Sequence, residues 1–137
     1  MTKINCVLLV DDDGATNFLN ETIIKKMNIS ETIHSEINGE KGLNFLQYYA
    51  ELNNNKAPEL ILLDLRMPVM DGIEFLQYLR LKKFDNKENI KILVLANSDR
   101  PEELKKFEPA LNIFFLDKPL TTEKLKKIIS AKKKGKV

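Results

Sequence analysis

Three aspartates stand in succession, Asp11, Asp12 and Asp13, directly after the apolar run "CVLLV". A fourth, Asp64, follows "LILL", and Lys118 follows "FFLD". Crowded carboxylates repel one another: at ~6 Å and an effective dielectric of ~20, one pair costs roughly 3 kcal/mol. A chain tolerates this when a cation sits among them or when the side chains turn to water. Carboxylate oxygens are hard ligands. A site with one or two of them suits Mg²⁺, which keeps waters that a phosphate can displace. A nearby ammonium can bind the phosphate's charge. The chemistry within reach of these residues is metal-assisted handling of a phosphoryl group.

Such residues act together only if the fold brings them to one place. The runs "INCVLLV" (4–10), "LILLDL" (60–65), "KILVLA" (91–96) and "NIFFL" (112–116) are continuously apolar. That pattern marks strands buried on both faces, hence a parallel sheet covered by helices. "ETIHSEI" (31–37) is more polar and reads as an edge strand, with His34 an ordinary polar surface residue. Helical spacing lies between the strands. Phe18, Leu19, Ile23 and Met27 form one stripe; Leu43, Leu46 and Ala50 form another. Ile73, Leu76 and Leu79 follow "DG", and Leu125, Ile128 and Ile129 follow "PLTT", where Thr121 or Thr122 can cap. Asp99 and Glu102 stand at capping-box spacing with Pro101 between them, which predicts a further helix there. Strand and helix thus alternate five times, the signature of a doubly wound α/β sandwich with right-handed crossovers. In such sheets ligands bind beyond the carboxyl ends of the strands. Asp11, Asp12, Asp64 and Lys118 all fall at those ends, with Ala96-Asn97-Ser98 at the end of the fourth strand.

The 137 residues suit one domain, read here as 1–131 with a basic tail over 132–137 expected to be frayed. Net charge is only +2, which argues against a general nucleic-acid partner. No stretch approaches the ~20 apolar residues of a membrane span, and the opening run is too short for a secretory leader. The single cysteine, Cys6, excludes an internal disulfide and fits a reducing compartment. The expected location is the cytoplasm.

The motifs "LLVDDD", "ILLDLRMPVMDG" and "FFLDKPL" come in an order and spacing that resemble the receiver domain of a two-component response regulator, across about residues 4–130. The resemblance implies a flavodoxin-like (βα)5 fold with strand order 2-1-3-4-5. It implies that Asp64 accepts a phosphoryl group and that Asp12 ligates Mg²⁺ directly. Asp11 would reach the metal through water, Arg66 would offer its backbone carbonyl, and Lys118 would pair with the phosphoryl group. It also implies a cis peptide before Pro119. The donor would be a histidine kinase or a phosphotransfer protein. Output would pass to a protein partner through the fourth helix, fifth strand and fifth helix. Such a domain is a phosphoacceptor that assists its own transfer and hydrolysis, not a conventional enzyme. Asp13 is expected to face solvent or to cap the first helix at Gly14.

One position departs from the pattern. Ala96 stands where the family usually has Thr or Ser, and Phe115 fills the aromatic switch position without a hydroxyl. Ala96 favours a second reading, a receiver-fold binding module with weak or no phosphorylation switching. It also leaves room for Phe115 to lie inward, or in two rotamers, without phosphate. "DDDGAT" resembles, more remotely, the first motif of haloacid dehalogenase-type phosphatases, with Asp11 as nucleophile and Asp13 as acid/base.

Overall fold

The computed structural model describes residues 3–97 and 99–131. The tail over 132–137 and Ser98 lie outside the described residues. Five parallel strands form one sheet: β1 (Val7–Val10), β2 (Ile33–Glu36), β3 (Leu60–Asp64), β4 (Lys91–Ala96) and β5 (Asn112–Asp117). Their order is β2-β1-β3-β4-β5, with the polar β2 at one edge. The first strand starts later than its apolar run suggests. Residues ahead of it are engaged elsewhere: Ile4 N–H donates to the Ile29 carbonyl at 2.7 Å, and Asn5 exchanges hydrogen bonds with Glu59 and Ala57.

The alternation of side chains along each strand divides the core in two. Val7 and Leu9 of β1, Leu60 and Leu62 of β3 and Leu93 and Leu95 of β4 pack on one face. There they meet Ile24 of α1 (Gly14–Met27) and Leu125 and Ile128 of α4 (Thr122–Ser130). Leu8, Val10, Ile61, Leu63, Ile92 and Val94 fill the other face. Their partners are Leu46 of α2 (Gly39–Leu52) and Phe75, Leu76 and Leu79 of α3 (Gly72–Leu81). The helix starts carry side-chain caps: Asp13, Asn38, Asp71 and Thr121 each accept a backbone N–H, and Asp71 with Glu74 forms a capping box. Among the described residues no helix is long and apolar enough to cross a membrane.

Two expectations are corrected. The helix predicted near Asp99 is a 3-10 segment, Glu102–Phe107, with Pro101 at its cap position and no side-chain cap. Only seven residues separate Pro101 from Pro109, and the residue before a proline resists helical geometry. A tight turn fits that length. It sets Leu104 and Phe107 on the same side, and both are buried. Helix α4 is therefore the element expected as the fifth helix. The second correction concerns α1. Phe18 and Leu19 are 69% and 61% exposed, whereas Asn17, Asn20 and Ile24 face inward. Tertiary hydrogen bonds at Asn17, described below, set the rotation of this helix against its apolar stripe.

The chain leaving β3 is held in a tight bend. Met70 N–H donates to the Pro68 carbonyl at 2.8 Å, which closes a three-residue turn with Val69 at φ 71°. Gly72 N–H then donates to the Leu65 carbonyl at 2.9 Å. A Cβ on Gly72 would lie 2.7 Å from both the Asp64 carbonyl oxygen and the Leu65 Cα. Both obstacles are backbone, so neither can swing aside. Gly72→Ala is therefore expected to destabilise the fold by about 2 kcal/mol. It should lower the urea midpoint and shift the Asp64 backbone resonances. An unchanged midpoint would mean that α3 can retreat without strain.

Candidate functional site

Parallel pairing decides which side chains meet. Val10 of β1 stands opposite Leu63 of β3, so Asp11 and Asp64 follow side by side at the same sheet edge. Asp12 lies beside them, and one carboxylate oxygen from each of Asp11, Asp12 and Asp64 falls within 4.8 Å of the others. Asp11 and Asp64 are buried, while Asp12 is exposed. Lys118 enters from the end of β5. Its Nζ donates to Asp11 Oδ2 at 3.2 Å and lies 3.5 Å from Asp64 Oδ1.

Backbone ties fix these groups. Lys118 N–H donates to the Ala96 carbonyl at 2.9 Å, which holds the lysine against the end of β4. The Lys118–Pro119 peptide is cis. Lys124 Nζ of α4 donates to the carbonyls of Asp117 and Pro119, both at 2.9 Å. Asp11 Oδ1 accepts the Asp13 N–H at 2.9 Å, and the Asp11 N–H reaches the Glu36 carbonyl at 3.2 Å.

Burial raises the Asp64 carboxyl above its ordinary value of 3.8, and the neighbouring Asp11 charge adds to this. Lys118 and a backbone hydrogen bond from Arg66 oppose the rise without cancelling it. For Lys118, burial pulls downward, but Asp11 and Asp64 together lift the ammonium above its usual range. The lysine stays charged and the carboxylates stay short of positive partners. Three carboxylates facing one ammonium, with Asp12 open to water, form a hard-oxygen set that fits a divalent cation.

An open cleft of about 500 Å³ runs from Asp64 past Arg66, Ala96, Asn97 and Lys118 towards Glu103. Arg66 is exposed on its rim, and Ala96 is buried in its wall. Phe115 is half-buried on β5, neither fully inserted nor free. Asp13 is exposed and caps α1, accepting the Ala15 N–H at 2.9 Å and the Thr16 hydroxyl at 3.1 Å. Those bonds, led by Thr16, hold its carboxyl below the usual value. Asp13 thus serves as the cap expected for it at the start of α1.

Other features were not visible in residue types alone. His34 stacks on Phe45 with ring centroids 3.9 Å apart and planes 7° from parallel, and its Nε2 lies 2.5 Å from Glu36 Oε2. It is more than a loose surface residue. Burial pushes the Cys6 thiol up to about 12, so it is inert. Asn17 and Asn20, hidden within an apparent apolar stripe, border the acid cluster from below. The only signal for them is two asparagines three apart in α1, a weak one.

Comparison with known proteins agrees with this geometry. The family model described as response regulator receiver domain matches residues 7–130. The two-component response regulator ARR22 of Arabidopsis thaliana is 34% identical over 129 residues, covering 93% of this chain and 83% of that protein. A probable chemotaxis protein CheY of Rhizobium etli is 30% identical over 125 residues, covering 91% and 89%. A crystal structure of a two component response regulator from Cytophaga hutchinsonii matches with a TM-score of 0.76 and 31% identity, covering 93% of this chain and 95% of that one. With the sheet order, the acid cluster and the lysine that joins its members, these matches establish that the chain belongs to the response regulator receiver domain family.

Proposed function

We propose that Asp64 accepts a phosphoryl group from a phosphohistidine on a sensor kinase or phosphotransfer protein in the cytoplasm. The observation that carries this reading is the placement of Lys118 Nζ between Asp11 and Asp64, 3.2 and 3.5 Å away, beside an open cleft. An Asp64 carboxylate oxygen attacks phosphorus as the bond from phosphorus to the donor imidazole breaks. Lys118 faces the charge on the phosphoryl oxygens, and the tie from its N–H to Ala96 keeps it aimed. Mg²⁺, held by Asp12, Asp64 and the Arg66 carbonyl with Asp11 reaching it through water, would neutralise those oxygens further. Output passes to a protein partner through the face made by segment 102–107, β5 and α4.

Ala96 supports a refinement: phosphorylation proceeds but switches the fold weakly. A hydroxyl here would donate a charge-assisted hydrogen bond to the phosphoryl oxygen, worth about 1.5–3 kcal/mol, or roughly 10- to 150-fold in a two-state ratio. A methyl group cannot donate. Asn97 is exposed on the same rim and one step further along.

Acetyl phosphate with Mg²⁺ should add one hydroxylamine-labile phosphoryl group by intact mass, and Asp64→Asn should add none. Equal labelling of both proteins would overturn the assignment. Resonance shifts caused by beryllofluoride should stay near Asp64 in the parent and spread through β5 to α4 in Ala96→Thr. A full response in the parent would show that another group replaces the hydroxyl.

Stability should follow the raised Asp64 carboxyl. Between 3.8 and its higher folded value, the folded state keeps a proton that the unfolded chain has lost. This group's contribution therefore falls as pH rises through that window. In metal-free buffer at neutral pH, Asp64→Asn should melt higher than the parent by about 3 °C. The gap should close in acid below the ordinary carboxylate range. Equal melting at both pH values would place the electrostatic strain elsewhere.

A further inference from the structure

Helix α1 turns two asparagines inward and two large apolar residues outward. The reason lies at Asn17, which is 5% exposed. Its Nδ2 donates to the carbonyls of Asp11 at 3.0 Å and Glu36 at 3.3 Å. Both partners can only accept, so the nitrogen must face them and the oxygen must face away. That oxygen, Oδ1, is buried and is the one such side-chain atom among the described residues without a hydrogen-bond partner. Leaving a buried carbonyl unpaired is costly. Asn17 also lines a small cavity of about 10 Å³, together with Asn20, Asp11, Asp64, Leu62 and Leu95. That is room for about one water, and polar residues (Asn17, Asn20, Asp11 and Asp64) share the lining with Leu9, Val10, Leu62, Leu63 and Leu95.

We infer that one ordered water occupies this cavity, donates to Asn17 Oδ1 and braces the Asp11 and Asp64 carboxylates from beneath, which makes Asn17 a positioning residue for the acid cluster. Asn17 then acts on Asp11 twice. Its nitrogen fixes the Asp11 backbone, and its oxygen, through the water, fixes the carboxylate. Asn20 supplies a further polar wall from the next turn of α1. The helix faces inward with its asparagines because this polar contact outweighs the burial that Phe18 and Leu19 forgo.

The positioning role rests on the proposed phosphoryl site; the water itself does not. In the unmodified protein, water–amide cross-relaxation in NMR should show a long-lived water beside the Asn17 side chain, and a high-resolution crystal structure should place it within reach of Oδ1. A dry cavity overturns the inference. Mg²⁺ titration then separates bracing from packing. Asn17→Leu fills the space with methyl groups and should weaken Mg²⁺ binding about tenfold. Asn17→Ala loses the amide but leaves room for waters to replace part of it, and should lose less, about threefold. A packing role predicts the reverse order, because alanine opens the larger hole; that order, or equal losses, overturns the bracing role. If either variant fails to fold by thermal melting, the parent crystal structure decides: a water with no contact to the Asp11 or Asp64 carboxylate overturns the bracing role. A parent that binds no Mg²⁺ overturns the phosphoryl-site reading and leaves the water measurement standing.

Discussion

Everything at the carboxyl edge of the sheet is organised by one imbalance: three carboxylates held within 4.8 Å and a single ammonium to offset them. Lys118 cannot neutralise the cluster. It can only stop Asp11 and Asp64 from pushing each other apart. The residual negative charge makes the site attractive to a hard cation, and the ammonium keeps a place for an anion. A hard cation paired with a small anion would meet both needs at once. The rise in the Asp64 carboxyl is the local record of this imbalance.

Holding like charges together requires stiff supports, and the fold supplies them as backbone. Asp11 and Asp64 project from adjacent strands whose register is set by the β1–β3 ladder. The Asp13 N–H grips one oxygen of Asp11, and Lys118 is pulled in by the Ala96 carbonyl. Gly72 lets α3 start in direct contact with the backbone of Asp64 and Leu65. The bend at Val69, with its positive φ, returns the chain to that contact. Side chains can swing away from repulsion; these hydrogen-bonded backbone segments cannot.

How much of this was legible follows from the same physics. Strands buried on both faces leave unbroken apolar runs, so β1, β3, β4 and β5 stand out in the sequence, and a parallel sheet places their acidic ends at one edge. The convergence of Asp11, Asp12, Asp64 and Lys118 could thus be expected from their positions alone. The rotation of α1 could not. Phe18 and Leu19 advertise an inward face, but two carbonyls on different strands claim Asn17 instead. Those partners are remote in sequence or hidden in backbone, and residue type does not reveal them. The 3-10 segment misled for a local reason: Asp99 and Glu102 have capping spacing, yet Pro109 leaves too little chain for α-helical turns. His34 looked ordinary because its partner Phe45 lies on a different element, α2.

The shortness of segment 102–107 also sets how the molecule breathes. Its 3-10 bonds are poorer than α-helical ones and its side-chain anchorage comes down to Leu104 and Phe107. The neighbouring strands are locked by ladders on both sides of β4. Local opening free energy therefore drops sharply on crossing from β4 into this segment. Its amides should exchange with solvent through smaller excursions than those of β4, which sits between two ladders. The 102–107 wall of the cleft should therefore deform at lower cost than the strand it follows, whatever happens at Asp64.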